Sequence, residues 1–166
     1  AHHKELIAIG ETGLDYYYAY SPKELQQEFL RRYLRLAKET ALPVIIHCRE
    51  AFCDLFAILD QEYSGYPGIL HCFTGTQEEA NELIGRGWMV SLSGIVTFKK
   101  SHSLHEVAAS LPLSQLLVET DAPYLAPQSR RGDSNEPAYL PEIVAWIAHL
   151  KGISVEDVAA ATKNNL

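Results

Sequence analysis

Four apolar runs, each too short for a helix, end in a residue able to ligate a metal: Leu6-Ile7-Ala8-Ile9-Gly10-Glu11, Val44-Ile45-Ile46-His47, Gly68-Ile69-Leu70-His71 and Leu116-Leu117-Val118-Glu119-Thr120-Asp121. That recurrence leaves few folds open. Short runs of branched apolar residues bounded by turn signals read as buried strands, and helical periodicity between them makes the sheet parallel. In a parallel sheet every C-terminal strand end opens on one face, where open α/β sheets and (β/α) barrels carry their chemistry. Glu11, His47, His71 and Asp121 are therefore expected to converge in one cleft, and a cluster of these types points to a metal-dependent hydrolase.

The segments between the runs support this layout. Ser21-Pro22-Lys23-Glu24 combines an N-cap serine, a proline at the first helical position and a capping-box glutamate, and Leu25, Phe29, Tyr33, Leu36 and Ala37 follow at helical spacing. That helix is expected to end near Ala41, before Pro43 opens the next strand. Thr76-Gln77-Glu78-Glu79 is a second capping box, starting a helix that runs to Gly85 or Gly87. Further helices are expected over 55–63, 104–111, 140–150 and 155–162, with an additional strand at Met89-Val90-Ser91-Leu92-Ser93. No linker or low-complexity tract divides the chain, so 1–166 reads as a single domain or part of one. Five strands are readable, whereas a closed (β/α) barrel needs eight, so the chain reads as an incomplete barrel, the last five of eight strands.

Composition narrows the function further. The chain has 166 residues, 47% of them hydrophobic, enough for one sizeable core. Its longest apolar stretches are strand-sized, and Ala1-His2-His3-Lys4 lacks the organisation of a signal peptide, so neither membrane nor export is indicated. Cys48, Cys53 and Cys72 are odd in number and lack zinc-ribbon spacing, which disfavours a disulfide framework and makes a reducing cytoplasm the default. The net charge of −7 argues against holding nucleic acid on a broad basic surface, but not against a nuclease whose bound cations make its cleft locally positive.

Five ordered motifs resemble the successive signatures of TatD-related deoxyribonucleases. They are Gly10-Glu11-Thr12-Gly13-Leu14-Asp15-Tyr16, Pro43-Val44-Ile45-Ile46-His47-Cys48-Arg49-Glu50-Ala51, His71-Cys72-Phe73-Thr74-Gly75-Thr76, Glu119-Thr120-Asp121-Ala122-Pro123-Tyr124-Leu125 and Arg131-Gly132-Asp133-Ser134-Asn135-Glu136-Pro137. The resemblance implies a TIM-like barrel of the amidohydrolase type, divalent metal ions (Mg2+, Mn2+ or Zn2+, two in the complete enzyme) and hydrolysis of DNA phosphodiesters. The DNA would be single-stranded or engaged at its ends, as by an exonuclease, and no protein partner is implied. The family's His-x-His-x-Asp signature on its first strand has no match here, and by the family's arrangement the first three strands are missing.

Carried over by residue, Glu11 looks like the carboxylate bridging two metals, His47 and His71 complete one of them, and Asp121 looks like a ligand of the other and the base for the attacking water. Both Glu11 and Asp121 are thus expected to be catalytic. Arg49 is a candidate phosphate anchor, with pairing to Glu50 as the alternative. Arg131, in the polar loop after Asp121, is a second candidate, and Tyr16 with Tyr17 and Tyr18 is a candidate stacking surface at the cleft rim. Asn135 is read as a helix N-cap before Pro137. Strand alternation points Cys48 and Cys72 away from the cleft. Two alternatives to a deoxyribonuclease remain: a hydrolase of a small cyclic amide or phosphoester, and a non-catalytic remnant without the first-strand histidines.

Overall fold

The computed structural model describes residues 5–18 and 20–166, so the reading of Ala1-His2-His3-Lys4 lies outside the described residues. Strand and helix alternate as β1 (Ile9–Asp15), α1 (Lys23–Thr40), β2 (Val44–Arg49), α2 (Phe52–Glu62), β3 (Gly68–Leu70), α3 (Gln77–Gly85), β4 (Met89–Leu92), α4 (His102–Ser110), β5 (Leu116–Val118), α5 (Leu140–Lys151) and α6 (Val155–Asn164). The strands form one parallel sheet in the order β1-β2-β3-β4-β5. A sheet that always grows on the same side, with a helix crossing back each time, is the winding of a (β/α) barrel wall. Among the described residues no helix is long and apolar enough to cross a membrane.

The helices pack by their periodic apolar faces. In α1 the buried residues are Leu30, Leu34 and Ala37, spaced by about one turn each, and Ala41 closes the helix in the left-handed conformation with φ 54°. Strand residues Leu14, Val44, Ile46, Leu70, Val90 and Leu92 meet helix residues Leu30, Leu55, Leu83, Val107 and Ile147 in one core. Each such side chain contributes roughly 1.5–3 kcal/mol when removed from water. Gly68 is required where it stands, because a Cβ there would lie 2.6 Å from the ring of Trp88, which crosses β3 at that point. At the far end Asn165 donates to the carbonyls of Leu113 and Leu116 at 2.7 and 2.8 Å, fastening the end of α6 to the start of β5.

The capping box at Thr76 is formed: its hydroxyl accepts from the Glu79 amide while the Glu79 carboxylate accepts from the Thr76 amide at 2.7 Å. The expected box at Ser21 is not. Pro22, with φ −54° and ψ 144°, takes the N-cap position itself, leaving Glu24 one residue short of where it would have to sit. Gln26 holds this end instead, donating to the carbonyls of Asp15 and Ser21 at 3.0 and 2.9 Å.

β1 also departs from expectation. Leu6 and Ile7 precede the strand and are 56% and 81% exposed, while the strand continues through Gly-Glu-Thr-Gly to Asp15. Its pairing with β2 is irregular: three steps from Ile9 to Thr12 match two steps from Val44 to Ile46. One extra residue on β1 is a bulge, which re-aims the side chains around it. Farther along, Gly13 pairs with His47 so closely that a Cβ would lie 1.9 Å from the His47 carbonyl oxygen.

Candidate metal centre

Glu11 sits on the bulged stretch of β1, His47 on β2, His71 just past the end of β3, and Glu119 and Asp121 just past β5. Glu11 Oε1 lies 3.0 Å from His71 Nε2 and 3.8 Å from His47 Nδ1. Each ring turns its other nitrogen to a different carboxylate: His47 Nε2 is 3.1 Å from Asp15 Oδ2, and His71 Nδ1 is 3.1 Å from Glu119 Oε1. Ligand atoms of Glu11, His47 and His71 all lie within 4.8 Å of one another, as do those of His71, Glu119 and Asp121. Both groups claim His71. Its Nδ1 is engaged by Glu119, so the Glu11 group is the better cation site, and Glu119 acts on the ring from behind.

The donor set suits a divalent ion of borderline character. It offers two imidazole nitrogens and a carboxylate, three protein ligands with room for a water or substrate oxygen. The acids leave their mark on the histidine. Burial alone would lower the His71 pKa, but the Glu119, Glu11 and Asp121 carboxylates outweigh it and bring it to about 9. Burial would raise Glu119, yet its hydrogen bond to His71 holds it below the usual carboxylate range. Asp121 is raised, first by burial and then by the Glu119 and Glu11 charges, against the opposing pull of His71 and His47.

The Asp121 loop is built to a fixed shape. Asp121 has a left-handed backbone, φ 60°, and the buried Asn135 side chain donates to the carbonyls of Thr120 and Tyr124 at 2.7 and 2.6 Å. Asn135 is therefore a loop clasp rather than the expected N-cap; Glu136 takes that position for a short turn over Pro137–Tyr139. The cleft has a volume of about 900 Å³ and takes in His47, Asp121, Arg49, Tyr18, Tyr20 and Cys72 among its walls.

A sequence profile described as TatD related DNase matches residues 1–166. The chain belongs to that family. It is 45% identical over 161 residues to "Uncharacterized metal-dependent hydrolase YcfH" of Escherichia coli (strain K12), covering 96% of this chain and 61% of that protein. It is 41% identical over 170 residues to "3'-5' ssDNA/RNA exonuclease TatD" of Citrobacter rodentium (strain ICC168), covering 97% of this chain and 64% of that protein. The crystal structure of YJJV, a TatD homolog from Escherichia coli k12, superposes with a TM-score of 0.89 at 31% identity, over 96% of this chain and 62% of that one. The chain thus spans less than two thirds of these TatD relatives, and its parallel sheet matches the barrel-like fold of the solved ones.

Of the residues expected in the site from the TatD resemblance, Glu11, His47, His71 and Asp121 come together through the shared His71, and Arg49 lines the cleft wall beside His47 and Asp121. Arg49 is not paired with Glu50; its guanidinium lies 3.8 Å from the Tyr17 ring centroid and 4.9 Å from that of Tyr18. Tyr16 and Arg131 are placed elsewhere. The Tyr16 hydroxyl donates to Asp54 at 2.7 Å and its ring lies under Lys23, while Arg131 packs 4.3 Å from the Phe98 ring. Cys48 and Cys72, both expected to point away from the cleft, are both among the residues that line it: Cys48 is buried there, and Cys72 turns toward the cleft, with Sγ 3.2 Å from Ser93 Oγ and 3.9 Å from Asp121 Oδ2. Strand alternation does not apply to it, since β3 ends at Leu70 and Cys72 has φ 45°. Asp15 and Glu119 also belong to the site, although residue type alone does not single them out within the quoted motifs. The available signal was their spacing, four residues after Glu11 and two before Asp121.

Proposed function

We propose that this chain carries the metal centre of a deoxyribonuclease that hydrolyses DNA phosphodiester bonds, working as an exonuclease on single strands or DNA ends. The observation that carries the reading is Glu11 set between two histidines, 3.0 and 3.8 Å from their nearer nitrogens, with Glu119 and Asp15 behind the rings. Glu11, His47 and His71 would hold one divalent ion (Mg2+, Mn2+ or Zn2+), and Glu11 with Asp121 would contribute to a second. Bound there, such ions would activate a water for attack and would neutralise charge on the phosphate and its leaving oxygen.

The remaining steps belong to the chain's own groups. Asp121 takes the proton from the attacking water, and a pKa raised by burial and neighbouring acids makes it a better acceptor than an ordinary carboxylate. Asp15 and Glu119 keep the two imidazoles turned to Glu11. Arg49 meets a non-bridging phosphate oxygen from the cleft wall. The 166 residues act as one domain, an arc of a (β/α) barrel, in a cytoplasm that keeps Cys48, Cys53 and Cys72 as thiols.

The name of the Citrobacter rodentium relative supports nucleic acid as the substrate class. The full-length protein should be tested on end-labelled single-stranded DNA beside a panel of small esters and lactams, with Mn2+ or Mg2+ and with excess chelator. Metal-dependent shortening of the DNA from one end is expected. Cleavage in excess chelator, or turnover of a lactam without any of DNA, overturns the reading.

A further inference from the structure

Beyond the metal centre, the turn that follows β1 carries more aromatic surface than the fold uses. Tyr16 seals the barrel wall, its hydroxyl bonded to Asp54 and Gln27. Tyr18 and Tyr20 are 52% and 88% exposed, yet both line the cleft that contains His47 and Asp121. Their rings lie parallel, with an interplanar angle of 2° and centroids 5.4 Å apart, so Tyr18 backs Tyr20 and leaves the far face of Tyr20 open.

The turn is tied to the metal centre. Asp15 accepts from the amides of Tyr17 and Tyr18 through Oδ1, at 3.0 and 2.8 Å, and faces His47 Nε2 through Oδ2 at 3.1 Å. One carboxylate therefore sets both the imidazole and the aromatic turn. Arg49 stands two residues beyond His47 on β2, about 6.6 Å along the strand and on the same face. Its guanidinium rests on Tyr17 and Tyr18, it lines the same cleft, and among the described residues it forms no ion pair. An unpaired cation beside stacked rings complements one nucleotide: phosphate to the guanidinium, base to the ring.

We infer that Tyr18 and Tyr20 form a base-stacking subsite, with Arg49 as its phosphate contact, that selects unpaired nucleic acid at the metal cleft. A base can lie on Tyr20 only when freed from its duplex neighbours, which makes the subsite a filter for single strands. The inference rests on the nuclease reading above, and its test separates the two. Binding is measured by fluorescence anisotropy on the full-length protein carrying Asp121→Asn, so that the strand survives, with oligothymidylate and with an abasic strand of equal length. Stacking of one base is worth about 5- to 150-fold in affinity. Tyr18→Ala and Tyr20→Ala should each weaken oligothymidylate binding within that range, Tyr18→Phe and Tyr20→Phe should retain it, and the abasic strand should bind all of them alike. Equal weakening on both strands, or none on oligothymidylate, overturns the subsite while metal-dependent DNA cleavage by the wild type leaves the nuclease standing. Failure of the wild type to cleave any DNA overturns both.

Discussion

His71 Nδ1 lies 3.1 Å from Glu119 Oε1, while Nε2 of the same ring lies 3.0 Å from Glu11 Oε1, so one imidazole is held between two carboxylates that face its two nitrogens. The two acids do different work. Glu119 fixes the ring's orientation and makes it more basic, and Glu11 faces the nitrogen that would bind an ion and would share that ion with it.

Removing the charge behind His71 should therefore be felt at the metal. Glu119→Gln is expected to weaken divalent-ion binding about 10- to 100-fold, the usual effect of losing such a partner. Isothermal titration with Zn2+ or Mn2+ reads this directly. Unchanged affinity would mean that Glu119 does not act through His71.

The pKa of about 9 at His71 gives a pH dependence with a definite sign. Metal must displace a proton from a ring that is protonated at neutrality, so affinity should rise with pH and level off above about 9. The metal-free fold behaves oppositely. A raised folded-state pKa contributes stability that is fully present below the ordinary value of 6.5 and is lost as pH climbs through about 9. Urea unfolding with chelator and metal titration across this range should thus trend in opposite directions. Parallel trends would count against the acid-flanked histidine.

Asn135 should matter without touching substrate. Asn135→Ala strips the donors from the Thr120 and Tyr124 carbonyls, at a cost of about 0.5–1.5 kcal/mol for each hydrogen bond lost. It also frees the loop that presents Asp121, so turnover should fall more than stability alone accounts for. Wild-type turnover in a folded variant would show that the clasp does not position Asp121.

Asp121→Asn should lower the rate by several orders of magnitude while leaving metal content at Glu11, His47 and His71 intact. An amide keeps the shape and can still meet a cation, but it cannot accept the proton of the attacking water. Single-turnover rates and metal analysis on the same preparation check both halves. A normal rate would remove Asp121 from the chemistry.

The strands, the helices and the convergence of Glu11, His47, His71 and Asp121 follow from apolar runs and capping signals that depend on near neighbours. What escaped depends on pairs far apart in the chain. The bulge at Gly10 and Glu11 exists only against β2, and nothing within β1 marks the extra residue. Asp15 and Glu119 gain their roles from His47 and His71, 32 and 48 residues away. Tyr16 and Arg131 looked like substrate contacts by type, but Asp54 and Phe98 engage them, and periodicity does not report such partners. Cys72 shows the limit of alternation: two residues past its strand, a left-handed backbone had already turned the side chain around.

The most direct test of the central claim is an anomalous difference map of crystals of the full-length protein grown with Zn2+ and measured at the zinc absorption edge. A peak should appear about 2.0–2.2 Å from a Glu11 carboxylate oxygen and from one ring nitrogen each of His47 and His71. Strong density elsewhere with none among these three residues would contradict the metal centre described for this chain.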